Sequence, residues 1–152
     1  MAARWFEKGK PVHEAERRGL EALIRALPED YTVFTNIDLP GNRPGQSYEH
    51  DAVVVAPHAV FTVELKSWGG RIVGNRDRWT LQDGFVVPSP IPLALHKARV
   101  LKGQLKAKRV DLGPVWLQPV VFLTPSDAHA HISEDFADYV VTPSELKQTF
   151  TD

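Results

Sequence analysis

The sequence contains no cysteine among its 152 residues, which excludes disulfide frameworks, cysteine-based zinc sites and thiol nucleophiles. That composition fits a reducing compartment, and we expect a cytoplasmic protein. The first ten residues lack the apolar core of a signal peptide. The sequence also lacks any run of about 18 apolar residues, so we expect no membrane-spanning helix and no membrane partner.

An excess of positive charge is missing too, because the formal net charge is -1. A protein that binds DNA through overall charge alone would be far more basic. Any binding of nucleic acid must therefore come from a local basic surface or from neighbouring domains. The hydrophobic fraction of 43% is sufficient for a core, and the length suits one compact domain.

The order of periodic segments predicts an α/β domain with a mixed β-sheet between helices. Apolar residues at helical spacing predict a first helix over about 12–27 and a second over about 93–108. Alternating or β-branched runs predict strands at 31–37, 51–56, 59–66, 115–123 and 139–141, with a small three-stranded meander between 71 and 87. The segments 40–47 and 127–135 are predicted loops, and Thr142 and Glu145 form a capping box that begins a short final helix.

Two predicted strands place acidic side chains opposite each other. Alternation along 59–66 sends Glu64 and Lys66 to one face, and Asp51 lies on the preceding strand. A turn centred on Pro57 and His58 pairs Asp51 directly with Glu64, with Cβ atoms roughly 5 Å apart. A divalent cation between them would relieve their repulsion and supply a Lewis acid. The alternative is that Glu64 and Lys66 are simply a solvated strand face, since this spacing is common.

A third carboxylate lies on the first helix. Glu16 falls one turn before Leu20, on the apolar face of that helix. Burial there is costly unless the carboxylate is paired or reaches a site. The other interpretation is that Glu16 lies at the fraying start of the helix and reaches water.

Four features of the sequence together resemble a known family: EAERR at 14–18, YEHDAVVVAP at 48–57, VFTVELKSWGGRIVG at 60–74 and the later Trp79. They resemble the nuclease-related domain (NERD) family of the PD-(D/E)xK nuclease superfamily. The resemblance extends from about Glu14 to Leu123 and is closest to versions fused to bacterial serine/threonine kinases. Where the family often has Asn-Pro-x-x-Gln before the second helix, this chain has SPIPL at 89–93, with leucine in place of glutamine.

The resemblance implies a restriction-endonuclease-like fold, with Asp51, Glu64 and Lys66 at the catalytic positions and Glu16 as the acid on the helix. It implies Mg²⁺ or Mn²⁺ as cofactor, DNA as substrate, fusion to a kinase or helicase domain, and in some members a role in phage defence. Our interpretation is that Asp51, Glu64, the Leu65 carbonyl and Glu16 bind the metal, while Lys66 positions a water. We expect residues 1–152 to be a single nuclease domain from a larger multidomain protein. The alternative is a catalytically weak module that binds nucleic acid or regulates an attached domain.

Basic residues offer candidate contacts to phosphate. Arg99, Lys102, Lys106 and Arg109 form one stripe on the second helix, with Arg71 on the meander as a further candidate. The alternative for the stripe is a solvated helix face.

Overall fold

The computed structural model describes residues 3–9, 13–108 and 116–151, which form three α-helices, ten strands and two 3₁₀ turns. The α-helices are α1 (Glu14–Ala26), α2 (Ile91–Ala107) and α3 (Leu146–Thr151). The strands are β1 (Arg4–Glu7), β2 (Thr32–Pro40), β3 (Ser47–Val55), β4 (Ala59–Lys66), β5 (Arg71–Gly74), β6 (Arg78–Thr80), β7 (Val86–Pro88), β8 (Trp116–Leu123), β9 (His129–Ile132) and β10 (Val140–Val141). The 3₁₀ turns are Glu134–Tyr139 and Pro143–Glu145. Within these ranges no helix is both long and apolar enough to cross a membrane.

The strands form a six-stranded sheet in the order β1-β2-β3-β4-β8-β10 and a four-stranded sheet in the order β7-β6-β5-β9. The larger sheet is mixed. β2, β3 and β4 are antiparallel neighbours, whereas β1 runs parallel to β2, and β8 runs parallel to both β4 and β10. The predicted mixed α/β sheet flanked by helices is confirmed.

The two faces of the large sheet pack against different helices. On one face, the apolar stripe of α1 and the end of α3 bury Leu20, Leu23 and Phe150 against side chains such as Val54 and Val63. On the other face, Ile91 and Ala94 of α2 pack against Val121 and Leu123 of β8. Alternation along β4 therefore directs Leu65 toward α1 and directs Glu64 and Lys66 toward α2.

Two strands correct the predicted element order. The strand β1 was not predicted, because apolar and polar side chains do not alternate along its sequence RWFE. In the structure only Trp5 of this strand is partly buried. The predicted loop over 127–135 is wrong at its centre, where β9 pairs in parallel with β5. In β9 the half-buried Ala130 and Ile132 alternate with two exposed histidines. A four-residue alternation containing two histidines is too weak a signal to outweigh polar flanks.

The capping box that begins the C-terminal helical segment is confirmed. Thr142 N and Oγ1 both donate to Glu145 Oε1, at 3.0 and 2.8 Å, and proline occupies the first helical position. The helix that follows carries Leu146 and Phe150 into the core.

Candidate active site

The β3–β4 hairpin has the predicted register. Val55 pairs with Val60 and Ala52 with Val63, so the turn is centred on Pro57 and His58. The next position along the hairpin places Asp51 beside Glu64, on the sheet face that packs against α2. The turn thereby brings together the two acidic residues identified in the sequence.

The hairpin ladder changes at Asp51, because a side chain replaces a backbone carbonyl. Ala56 N donates to Ala59 O, and in an antiparallel ladder the bonded pairs then recur at every second position. That alternation would bond Leu65 to the backbone of His50. Instead, Leu65 N donates to Asp51 Oδ2 at 2.8 Å. The carboxylate of Asp51 is thus fixed by the strand that carries Glu64.

The other neighbour of Asp51 is also irregular. In the β2–β3 register, Asn36 stands opposite Asp51, between the regular pairs Thr35–Ala52 and Ile37–His50. Asn36 has φ 52°, a left-handed conformation that asparagine tolerates better than most residues. Strand pairing is therefore distorted at Asp51 on both sides, as is common where a functional side chain must be aimed.

Glu64 forms a shielded ion pair with Lys97 of α2. Lys97 Nζ lies 2.8 Å from Glu64 Oε1, and the two side chains are only 11% and 14% exposed. The same ammonium donates to the backbone carbonyl of Glu49 at 2.7 Å. Burial raises the pKa of Glu64; the hydrogen bond from Lys97 opposes this rise, and the nearby charge of Asp51 adds to it.

His50, next to Asp51 in β3, is also buried. Burial lowers its pKa to about 4, and the positive charge of Lys97 contributes to the reduction. The imidazole is therefore neutral at neutral pH. It adds no positive charge to balance the two carboxylates.

Lys66 lies on the same face as Glu64, one strand period further along β4. Its Nζ is 5.3 Å from the centre of the Trp68 ring. Trp68 in turn packs edge-on against the fully buried Trp79, so both tryptophans serve packing. The Lys66 ammonium therefore contacts an aromatic ring, and its charge also lowers the pKa of Glu64, though less than that of Lys97 does.

Glu16 starts from the other face of the sheet. It is half-buried in the first turns of α1. One turn later, a Cβ at Gly19 would lie 2.5 Å from Thr124 Cγ2 and 3.2 Å from Leu65 Cδ2, so α1 packs closely over the end of β4. Within residues 3–9, 13–108 and 116–151, no three histidine or acidic side chains are grouped closely enough to hold a metal ion. The structure therefore pairs Asp51 with Glu64 but does not bring Glu16 into a three-residue cluster with them.

The basic stripe lies on the flank of α2 that faces away from Lys97. Arg99, Lys102 and Lys106 are exposed. At 3.6 residues per turn they point roughly 140° to 200° around the helix from Lys97. Arg109, the fourth predicted member, lies outside the described residues. Arg71 is exposed on β5 of the smaller sheet.

Lys97 is the site residue that sequence analysis missed. It lies one turn after Ala94 and one turn before Leu101, both buried, and so belongs near the apolar face of α2. A lysine at such a position must reach a counter-charge or water. The same test that identified Glu16 on α1 would have identified Lys97, although not its partner.

The donors at this site are oxygen atoms suited to a hard cation. Two carboxylates and backbone carbonyls are the ligands that Mg²⁺ and Mn²⁺ prefer. The protein already holds a cation among them, since the Lys97 ammonium is bound by the oxygens of Glu64 and Glu49. The residues therefore fit a divalent ion, with Lys66 beside it.

Comparison with known proteins identifies the family of the chain. The family described as "Nuclease-related domain" (NERD) matches residues 11–124, a span that begins just before α1 and ends just after β8. A relative from Streptomyces coelicolor (strain ATCC BAA-471 / A3(2) / M145), named "Probable kinase PglW", is 32% identical over 152 residues. That alignment covers 94% of this chain but only 9% of the relative. No solved structure matches the chain. The chain belongs to the nuclease-related domain family.

Proposed function

We propose that this domain is a metal-dependent nuclease that hydrolyses DNA phosphodiester bonds. The observation that carries the proposal is the juxtaposition of Asp51 and Glu64 on adjacent strands, with Lys66 on the same face. Such a pair concentrates negative charge in a partly shielded place. It also lies within the segment that matches the nuclease-related family.

The proposed roles follow from the chemistry of each side chain. Asp51 and Glu64 would hold Mg²⁺ or Mn²⁺, with the Leu65 carbonyl as a further ligand. The bound ion would supply Lewis acidity and lower the pKa of a water. Lys66 would orient that water and offset negative charge that develops on the phosphate. Asp51 is held in position by Leu65 N, so less reorganisation is needed when a substrate binds.

A cleavage assay tests this function. The purified domain, given duplex DNA and Mn²⁺, should cut the DNA, and EDTA should stop the reaction. Lys66→Ala should lower the rate by at least about a hundredfold, a typical effect of losing a group that assists proton transfer. Lys147→Ala is the matched control, because Lys147 is an exposed lysine on α3. Equal cleavage by a folded Lys66→Ala variant would contradict the proposal.

A second candidate is a module that binds nucleic acid or regulates an attached kinase without cutting DNA. Two observations favour it: Lys97 already neutralises Glu64, and the chain matches a small part of a relative named as a probable kinase. Metal-independent DNA binding with no cleavage, unchanged by Lys66→Ala, would support this alternative. A role in phage defence or DNA processing belongs to the first candidate, because it requires that the domain cut DNA.

A further inference from the structure

Oxygen atoms surround the Lys97 ammonium in the way that they would surround a bound metal cation. Its ammonium is 2.8 Å from Glu64 Oε1 and 2.7 Å from the Glu49 carbonyl. With 11% of its side chain exposed, it has given up most of its hydration. An ammonium loses hydration at such a position only when oxygen acceptors and negative charge replace the water.

The ammonium also explains how the two carboxylates coexist in the folded chain. Asp51 and Glu64 repel each other across the hairpin, and the negative charge of Asp51 accordingly raises the pKa of Glu64. The ammonium of Lys97 balances the negative charge of Glu64 through their ion pair. Lys66 contributes less than Lys97 to this balance, and its ammonium lies over the ring of Trp68.

A divalent ion bound to the same oxygen of Glu64 is incompatible with Lys97 in this position. Both cations would use Glu64 Oε1, and they would stand within a few ångströms of each other, where like charges in a shielded site repel strongly. The lysine side chain has four rotatable bonds, and α2 is exposed on the flank that continues from Lys97 to His96. The ammonium can therefore leave without any movement of the helix.

We propose that Lys97 is an internal competitor for the metal position, which stabilises the Asp51–Glu64 pair when no ion is bound and must be displaced from Glu64 for a divalent cation to bind. This inference rests on the proposed function, because it concerns the same metal site. The net free energy of metal binding is then the difference between binding the metal ion and binding the Lys97 ammonium. The affinity for metal is therefore weaker than the same oxygen ligands would give without the lysine.

Direct measurement of Mn²⁺ binding tests the competition. Free Mn²⁺ can be followed by electron paramagnetic resonance during titration of the parent, Lys97→Met and Lys108→Met. Lys97→Met should bind Mn²⁺ about tenfold more tightly, which corresponds to about 1.4 kcal/mol. Lys108→Met removes the same charge from the exposed end of α2 and should leave the affinity near that of the parent. The melting temperature of Lys97→Met without metal should fall, and its gain on adding Mn²⁺ should exceed that of the parent.

Amine labelling of the parent protein provides a second test that needs no variant. Acetylation followed by mass spectrometry should find Lys97 protected without metal and more reactive at saturating Mn²⁺, with Lys108 unchanged. Equal or weaker Mn²⁺ binding by folded Lys97→Met, or labelling of Lys97 that Mn²⁺ does not increase, overturns the competition. If neither the parent nor Lys97→Met binds Mn²⁺, the metal site of the proposed function is overturned with it. Equal binding by both removes only the role of Lys97.

Discussion

At the scale of single residues, the carboxylate of Asp51 has two tasks. Oδ2 accepts the backbone N–H of Leu65, in place of the carbonyl that a regular ladder would supply. The same group is a proposed metal ligand opposite Glu64. A substitution at this position therefore changes strand pairing and charge together, and the two effects must be separated by the choice of replacement.

Comparison of Asp51→Ala with Asp51→Asn separates them. Alanine leaves Leu65 N without its acceptor, so the free energy of unfolding should fall by about 1–3 kcal/mol. Asparagine keeps an acceptor oxygen and removes the repulsion with Glu64, so its metal-free stability should equal or exceed that of the parent. Urea denaturation of both variants measures the difference. Equal losses in the two variants would mean that the carboxylate charge contributes nothing unfavourable to the metal-free fold.

At the scale of secondary-structure elements, the hairpin was predictable in detail because its register depends on local sequence. Pro57 and His58 fix the turn, and alternation then determines that Asp51 meets Glu64. No comparable local rule connects α2 to β4, since the Lys97–Glu64 contact depends on how a helix packs across a sheet. Strands β1 and β9 were missed for a related reason: each is four residues long and is defined by its parallel partner.

The flank of α2 that carries Arg99, Lys102 and Lys106 provides a prediction about DNA affinity. If this flank contacts phosphates, the double variant Arg99→Gln, Lys102→Gln should flatten the salt dependence of binding by roughly one unit of slope per lost contact. Because the flank faces away from Lys97, the cleavage rate of bound DNA should change little. The variant Arg25→Gln, Lys147→Gln has the same net charge and serves as the control. An unchanged slope in the α2 variant assigns these residues to a solvated helix face.

At the scale of the whole molecule, a buried hydrogen bond joins distant parts of the chain. Tyr31, just before β2, donates its hydroxyl to the carbonyl of Phe150 in α3 at 2.7 Å. Tyr31 is 4% exposed and Phe150 is fully buried. This contact attaches the C-terminal helix to the edge of the main core.

Tyr31→Phe should therefore lower the free energy of unfolding by about 1–2 kcal/mol, because the Phe150 carbonyl loses a buried donor while the ring is retained. Tyr48→Phe is the comparison, since the Tyr48 hydroxyl bonds His96 in an exposed place and should cost less. Chemical denaturation measures both. A smaller loss for Tyr31→Phe than for Tyr48→Phe would mean that the α3 contact adds nothing to global stability.

The short turn at Pro57 and His58 also has a consequence for the order of folding. Hairpins with short loops close within microseconds, whereas contacts between distant segments form later. We expect Asp51 and Glu64 to meet as soon as β3 and β4 pair, before α2 has packed and brought Lys97 to them. During that interval the two negative charges lack the Lys97 ammonium. Divalent cations in solution would then act on the kinetics of folding as well as on the finished protein, by lowering the barrier at the step where the carboxylates first approach.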